Sequence, residues 1–204
     1  MPTLLLLPFL LRLAVAQDFA VETNVAVPMR DGVALATDIY FPATSGVKKP
    51  GRFPVILNRT PYGKSRGEGP VYAARGYVFV NQDTRGRYAS EGRWSFLLGD
   101  VNDGYDTAAW IVKQPWSTGL IGTIGTSYGG GTQHALALSG APGLAAVIPV
   151  DAVANAGYFG MRNSGAFELR FFNWIFTIGA PRGSAAARDA GTRAVLEEMA
   201  KNTR

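Results

Sequence analysis

The stretch Leu120-Ile-Gly-Thr-Ile-Gly-Thr-Ser-Tyr-Gly129 decides how the rest of the chain is interpreted. Its first five residues form a short apolar run, which is typical of a strand buried on both faces. The run leads directly into Gly125-Thr-Ser-Tyr-Gly129, and residues 130–138 have the composition of a helix. A serine between two such glycines, at a strand-to-helix bend, predicts a hydroxyl exposed above a sheet.

The bend predicts that Ser127 is a nucleophile. The helix that follows directs its free N–H groups and the positive end of its dipole at the same point. The backbone N–H of Tyr128 is therefore the first candidate donor to an oxyanion. The alternatives are a serine that only caps the helix and a dinucleotide-binding loop. The glycines do not follow the G-x-G-x-x-G spacing, and Asp151 ends the next apolar run too far along the chain.

Apolar runs and helical segments alternate on both sides of the bend. Buried strands are predicted at residues 53–57, 77–80, 120–124 and 144–150, and helices at residues 70–75, 103–113 and 130–138. This alternation predicts a mostly parallel sheet with helices on both faces. Alternating residues at 21–27 and 33–40, joined by Asp31-Gly32, predict an antiparallel hairpin before it. The expected fold class is α/β, an α/β-hydrolase fold, with loops at residues 42–52 and 83–99.

The chain divides into three parts. Residues 1–16 are apolar and end in Ala14-Val-Ala16, which predicts a signal peptide and a secreted or periplasmic protein. Residues 17–151 are predicted to form the N-terminal half of the hydrolase core. Residues 152–204 predict the start of a helical cap, with helices at 167–178 and 184–201 and no strand. No apolar run is long enough to predict a membrane span.

Composition excludes several classes of function. The sequence has no cysteine, which excludes disulfides, a thiol nucleophile and thiolate metal sites. It has one histidine, His134, and no cofactor or metal site is expected. The net charge is +5, but the arginines are scattered among acidic residues, so nucleic acid is not an expected partner. Nothing in the sequence indicates an oligomeric state.

Four ordered segments resemble the S15 peptidase-like hydrolases, the group of the cocaine esterases and Xaa-Pro dipeptidyl-peptidases. They are Pro28-Met-Arg-Asp-Gly-Val-Ala-Leu-Ala-Thr-Asp-Ile-Tyr40, Asn58-Arg-Thr-Pro-Tyr-Gly-Lys64, Gln82-Asp-Thr-Arg-Gly-Arg-Tyr-Ala-Ser-Glu-Gly92 and Gly125-Thr-Ser-Tyr-Gly129. The similarity covers residues 20–150. It implies a serine hydrolase that cleaves small-molecule esters, amides or Xaa-Pro peptides.

The resemblance assigns Ser127 as nucleophile, the Tyr128 N–H as one oxyanion donor and the Tyr62 hydroxyl as the second. Tyr62 follows the strand at residues 53–57, where this fold places its second oxyanion group. A tyrosine that only packs is the alternative. Asp83, Arg85 and Glu91 are expected to pair and order a loop near the site, or else to contact substrate.

A serine nucleophile needs a base and an orienting acid. His134 lies about 10 Å along the helix from Ser127, so a role as base is not favoured. Asp151 follows the next strand, but it would have no histidine to orient. The resemblance places both partners after the cap, so the chain is expected to be an inactive N-terminal fragment. Alternatives are a non-catalytic binding protein and an α-amino-acid ester hydrolase.

Overall fold

The computed structural model describes residues 18–64, 67–152 and 161–174, with single helical positions at Ala194, Glu198 and Lys201. Nine strands and four helices lie within these residues. In chain order they are β1 (Phe19–Pro28), β2 (Ala34–Thr44), β3 (Val47–Lys48), β4 (Phe53–Thr60), α1 (Gly69–Ala74), β5 (Val78–Asp83), α2 (Asp100–Val112), β6 (Ser117–Thr126), α3 (Tyr128–Leu138), β7 (Leu144–Val150), β8 (Arg162–Asn163), β9 (Ala166–Phe167) and α4 (Leu169–Trp174).

The main sheet confirms the predicted fold class. Its strands lie in the order β1-β2-β5-β4-β6-β7, with β3 paired to β2. The pairs β4–β5, β4–β6 and β6–β7 are parallel, whereas β1–β2 and β2–β5 are antiparallel. Each parallel strand is connected to the next along the chain by a helix, because parallel strands need a crossover connection. The N-terminal hairpin turns at Asp31-Gly32 as predicted, with Gly32 at a positive φ of 84°.

The core lies between the sheet and the helices that cover it. Apolar residues of β2, β4, β5 and β6 pack with α2 and α3 in one cluster, which includes Ile39, Val55, Leu57, Val80, Ala108, Ile111, Ile121 and Leu136. The predicted strand runs at residues 53–57, 77–80 and 120–124 supply most of it. Tyr40, Ala73 and Phe79 form a second cluster under α1. The centre of the sheet is therefore covered on both faces, and close packing makes the ends of its strands a rigid platform.

β7 has the predicted bounds but not the predicted burial. It was expected to be a central strand, yet it lies at the edge of the sheet within the described residues. Four consecutive residues of this seven-residue strand are exposed, and 58% of the surface of Ile148 is exposed to solvent. Because successive residues of a strand point to opposite faces, both faces of β7 are partly exposed.

Several predicted loops contain strands. β2 runs on to Thr44 and pairs with β3, so residues 42–52 include a small hairpin. β8 and β9 pair across a turn at Ser164 and Gly165, both at positive φ, where no strand was expected. Phe167 therefore lies in β9 and not at the start of the aromatic helix, which begins at Leu169.

Other predictions fall outside the described residues. The signal peptide at residues 1–16 and most of the helix at residues 184–201 belong to this group, as do residues 175–178 of the aromatic helix. Within the described part of the chain, no helix is long and apolar enough to cross a membrane. The same residues contain no group of three or more acidic or histidine side chains placed to bind a metal.

Candidate active site

The bend between β6 and α3 has the geometry that its sequence predicts. Ser127 is exposed and takes φ 58° and ψ −116°, a strained conformation for a residue with a side chain. Its N–H donates to the Val150 carbonyl (2.9 Å), and its own carbonyl accepts from Gly130 and Gly131 (both 3.0 Å). These bonds tie the bend to β7 and to the first turn of α3, so the surrounding backbone holds the strain in place.

The glycines around Ser127 differ in how much space a side chain would have at their positions. A Cβ at Gly125 would lie 2.7 Å from the Gly129 carbonyl oxygen and 3.0 Å from Asn58 Oδ1. A Cβ at Gly129 would come no closer than 3.4 Å to its neighbours outside α3, whereas one at Gly130 would meet the Ala152 Cβ at 2.5 Å. Steric crowding was expected at Gly125 and Gly129, but it is strongest at Gly125 and Gly130.

Tyr62 and Ser127 line the same cavity. Tyr62 lies two residues beyond the end of β4, and Ser127 follows β6, the parallel neighbour of β4. The cavity holds about 410 Å³ of empty space, its open mouth included, and Tyr128 and Gly131 also line it. The structure thus brings together the three residues predicted to form the site. The chemical role of each stays a prediction.

Aromatic side chains form the remaining walls of this cavity. Phe96 packs edge-on against Tyr128 (ring centroids 5.1 Å apart) and against Phe171 (5.2 Å), and Phe171 stacks on Trp174 (5.3 Å). Trp174 in turn packs edge-on against Tyr62, at 6.4 Å. The walls are therefore apolar, and polar groups are concentrated on the side of the strand ends.

The side chain of Tyr128 has a second role that the sequence analysis did not find. Its hydroxyl donates to Asp100 Oδ2 (2.9 Å) and accepts from the Leu97 N–H (2.9 Å). Leu97 takes a positive φ of 55° and lines the cavity beside Gly131. Tyr128 therefore anchors a cavity wall as well as the bend. The sequence signal that could have revealed this contact is the acidic residue Asp100. The helix was predicted to begin at residue 103, but α2 begins at Asp100.

Buried charges lie beneath this anchor. Asp100 is 3% exposed and forms an ion pair with Arg59 (3.1 Å), whose Nε donates to Gln82 Oε1 at 2.9 Å. Burial raises the pKa of Asp100, against the opposing effect of the Arg59 charge. Burial also raises the pKa of Tyr128, and the nearby Asp100 adds to this, so the phenol keeps its proton and can donate.

Neither His134 nor Asp151 joins the site. His134 is half-buried on α3, two turns beyond Ser127. Asp151 is exposed directly after β7, at a positive φ of 45°. The described residues therefore supply a candidate nucleophile and candidate oxyanion donors, and they place no histidine at the bend.

The predicted pairing among Asp83, Arg85 and Glu91 is wrong in detail. Asp83 accepts from Lys64, Arg85 pairs with Asp31 (2.8 Å) and Asp103 (2.6 Å), and Glu91 accepts from a backbone N–H of β2. Each therefore fastens the loop to a different part of the molecule. Burial raises the pKa of Asp83, although Lys64 opposes this.

Comparisons with known proteins identify the family of the chain. The family model for X-Pro dipeptidyl-peptidases (S15 family) matches residues 31–203. The cocaine esterase of Rhodococcus sp. (strain MB1 Bresler) is 36% identical over 202 residues, which cover 90% of this chain and 34% of the esterase. The chain thus spans about a third of the length of that curated relative.

Solved structures show the same similarity. An aminopeptidase from a marine sediment archaeon (Thaumarchaeota archaeon) has a TM-score of 0.70 and 27% identity, covering 89% of this chain and 36% of that one. An α-amino acid ester hydrolase has a TM-score of 0.67 and 29% identity, covering 82% of this chain and 31% of that one.

Proposed function

Because the chain belongs to the S15 family of X-Pro dipeptidyl-peptidases, we propose that it carries the nucleophile half of a serine hydrolase. The Ser127 hydroxyl attacks the carbonyl carbon of an ester or amide and gives up its proton. The leaving group then takes up that proton and departs from the tetrahedral intermediate as the alcohol or amine. Water then attacks the acyl-serine, which releases the acid and restores the hydroxyl. The observation that carries the proposal is the strained, exposed Ser127 in one cavity with Tyr62.

The negative charge that develops on the carbonyl oxygen is stabilised by hydrogen-bond donors that are already in position. Tyr128 is the first residue of α3, so its N–H lies at the N-terminus of the helix, where the helix dipole favours negative charge. The Tyr62 hydroxyl is the second donor in the proposal, since Tyr62 lines the same cavity as Ser127. In other hydrolases, removal of one such donor costs about 10²–10³ in kcat.

The cavity favours an apolar acyl group. Phe96, Leu97, Phe171 and Trp174 present rings and methyl groups to the space beside Ser127. An aliphatic or aromatic acyl chain would bury its surface there, at roughly 25 cal/mol per Å² removed from water. Esters and amides with such acyl groups are therefore the proposed substrates, and small Xaa-Pro peptides are included among them.

The test is covalent labelling of the full-length protein with a fluorophosphonate, followed by peptide mapping. We expect the adduct on Ser127, and we expect Ser127→Ala to lose both labelling and hydrolysis of p-nitrophenyl esters. Ser139→Ala, at the other end of α3, is the matched control and should keep both. Undiminished hydrolysis by Ser127→Ala would remove the basis of the proposal.

A second candidate is a binding protein that keeps the cavity without catalysis. The observation in its favour is that the one histidine of the sequence lies on α3, away from the bend. Such a protein would bind an apolar ester in the cavity and leave it intact. Turnover of p-nitrophenyl acetate above the Ser127→Ala background rejects this candidate.

A further inference from the structure

The segment at residues 83–90 has no part in the proposed chemistry, yet it lies against the loop that carries Tyr62. We call residues 60–64 the Tyr62 loop and residues 83–90 the clamp segment. Each begins at the end of a strand, the first after β4 and the second after β5, and these two strands are parallel neighbours. The two loops therefore leave the same edge of the sheet side by side.

Two bonds from the clamp segment reach the backbone just before Tyr62. The Thr84 N–H donates to the Thr60 carbonyl at 3.0 Å. Arg87 Nε donates to the carbonyl of Pro61, the residue next to Tyr62, at 2.8 Å. Arg87 is fully buried, with its guanidinium over the Trp94 ring at 5.1 Å, so it reaches Pro61 from a fixed position.

Asp83 holds the other side of Tyr62. Its Oδ1 accepts from the backbone N–H of Lys64 (2.8 Å), and its Oδ2 accepts from Lys64 Nζ (3.0 Å). The carboxylate thus binds Lys64 by both backbone and side chain. Asp83 is 1% exposed, which leaves little surface for a substrate and makes these bonds insensitive to solvent.

A further contact of the clamp segment, at Gly63, lies between the bonds to Pro61 and those to Lys64. The ring of Tyr88 lies against Gly63, where an added Cβ would stand 3.0 Å from ring carbons. Gly63 also takes a positive φ of 97°, which a larger residue rarely adopts. The clamp segment therefore contacts the residues on both sides of Tyr62. Outside this segment, Lys64 Nζ also donates to Asn24 Oδ1 (2.9 Å), and Trp174 packs against the Tyr62 ring.

We propose that Asp83 and Arg87 are positioning residues, which fix the Tyr62 loop so that its hydroxyl faces the oxyanion formed at Ser127. This inference rests on the proposed function. An oxyanion donor acts only if it is already in place, because any reorganisation during the reaction cancels part of its stabilisation. Tyr62 lies on a loop, so contacts with residues outside that loop are needed to fix the position of its hydroxyl.

The test is a double-mutant cycle on ester hydrolysis by the full-length protein. Tyr62→Phe should lower kcat by about 10²–10³. Asp83→Asn keeps the shape of the side chain and loses its charge, and we expect a loss in kcat on the order of 10–100-fold, as for a misplaced catalytic group. KM should change little, since the donor acts on the transition state. In the Tyr62→Phe background, Asp83→Asn should have no further effect.

Arg85→Gln is the matched control. Arg85 belongs to the same segment, but it pairs with Asp31 and Asp103 and not with the Tyr62 loop. Any effect of Arg85→Gln on kcat should therefore be equal in the wild-type protein and in the Tyr62→Phe variant. Lys64→Met serves as a second variant if Asp83→Asn does not fold. It keeps the backbone N–H bond to Asp83 and removes the Nζ contacts with Asp83, Asn24 and Asp38. Thermal unfolding identifies which variants are folded.

The outcomes separate the two proposals. Equal losses from Asp83→Asn with and without the Tyr62 hydroxyl would mean that Asp83 acts only on stability, and the inference would be wrong. Normal kcat in Tyr62→Phe would also overturn it, because there would be no donor to position. In both cases the Ser127 proposal survives if Ser127→Ala is inactive. An active Ser127→Ala would remove both.

Discussion

Tyr128→Phe tests whether the phenol, and not only the backbone, of this residue builds the site. The substitution keeps the ring, which is 3% exposed, and removes two hydrogen bonds at its edge. One is donated to the buried Asp100 carboxylate and the other is accepted from the Leu97 N–H, both at 2.9 Å. The change therefore leaves one charged acceptor and one backbone donor without this partner.

The expected loss of unfolding free energy follows from these two bonds. A bond to a charged group contributes about 1.5–3 kcal/mol, and a neutral one about 0.5–1.5 kcal/mol. Their sum is about 2–4.5 kcal/mol. The ion pair between Arg59 and Asp100 remains in the variant and limits the loss, because the carboxylate keeps one charged partner. Acidification should reduce the loss, because a protonated Asp100 no longer presents a buried charge.

Urea unfolding followed by circular dichroism measures this free energy. Tyr105→Phe is the matched control, since Tyr105 is 37% exposed on α2 and should lose little. Hydrogen exchange at the Leu97 amide adds a local measurement, and we expect it to accelerate in Tyr128→Phe. A loss below about 1 kcal/mol, together with unchanged exchange at Leu97, would refute the reasoning because neither bond would then matter.

Two further predictions concern backbone crowding and surface charge. Gly125→Ala places a Cβ 2.7 Å from the Gly129 carbonyl oxygen and should reduce labelling of the nucleophile by at least about tenfold, as a misplaced group does. Gly122→Ala in the same strand, where the nearest atom is 3.9 Å away, should label normally. Arg30→Gln should lower the melting temperature at pH 7. Burial raises the pKa of Asp106, but its bonds to Arg30 outweigh this and leave the pKa below its ordinary 3.8, so the difference should vanish as pH falls through that lowered pKa. A difference that stays constant as the pH falls below 3.8 would contradict this.

Local signals were enough to predict the centre of the fold. The apolar run at residues 120–124 and the glycines after it predicted β6, the bend and α3, because each depends on neighbours in sequence. The Asp31-Gly32 turn predicted the hairpin for the same reason. The resemblance based on four segments is confirmed by the family match at residues 31–203.

Strand ends were predicted less well, because polar residues continue β4 and β5 beyond their apolar runs. Asn58, Arg59 and Thr60 pair in register with Asn81, Gln82 and Asp83. These side chains bond across the strands, as Asn58 Nδ2 does to Asn81 Oδ1 (3.1 Å) and Arg59 Nε does to Gln82 Oε1 (2.9 Å). Hydrophobic periodicity treats such residues as loop, since the partner that satisfies each one lies far away in the sequence.

These polar extensions determine where the candidate site lies. β5, β4 and β6 are adjacent, and parallel strands lie about 4.8 Å apart. The clamp segment, the Tyr62 loop and Ser127 each follow one of these three strands, in that spatial order. The distance between the proposed donor and nucleophile is therefore set first by sheet spacing and only then by loop conformation. In the proposal, Tyr62 can act as an oxyanion donor from a loop because the clamp segment, which follows the neighbouring strand β5, holds the residues on either side of it.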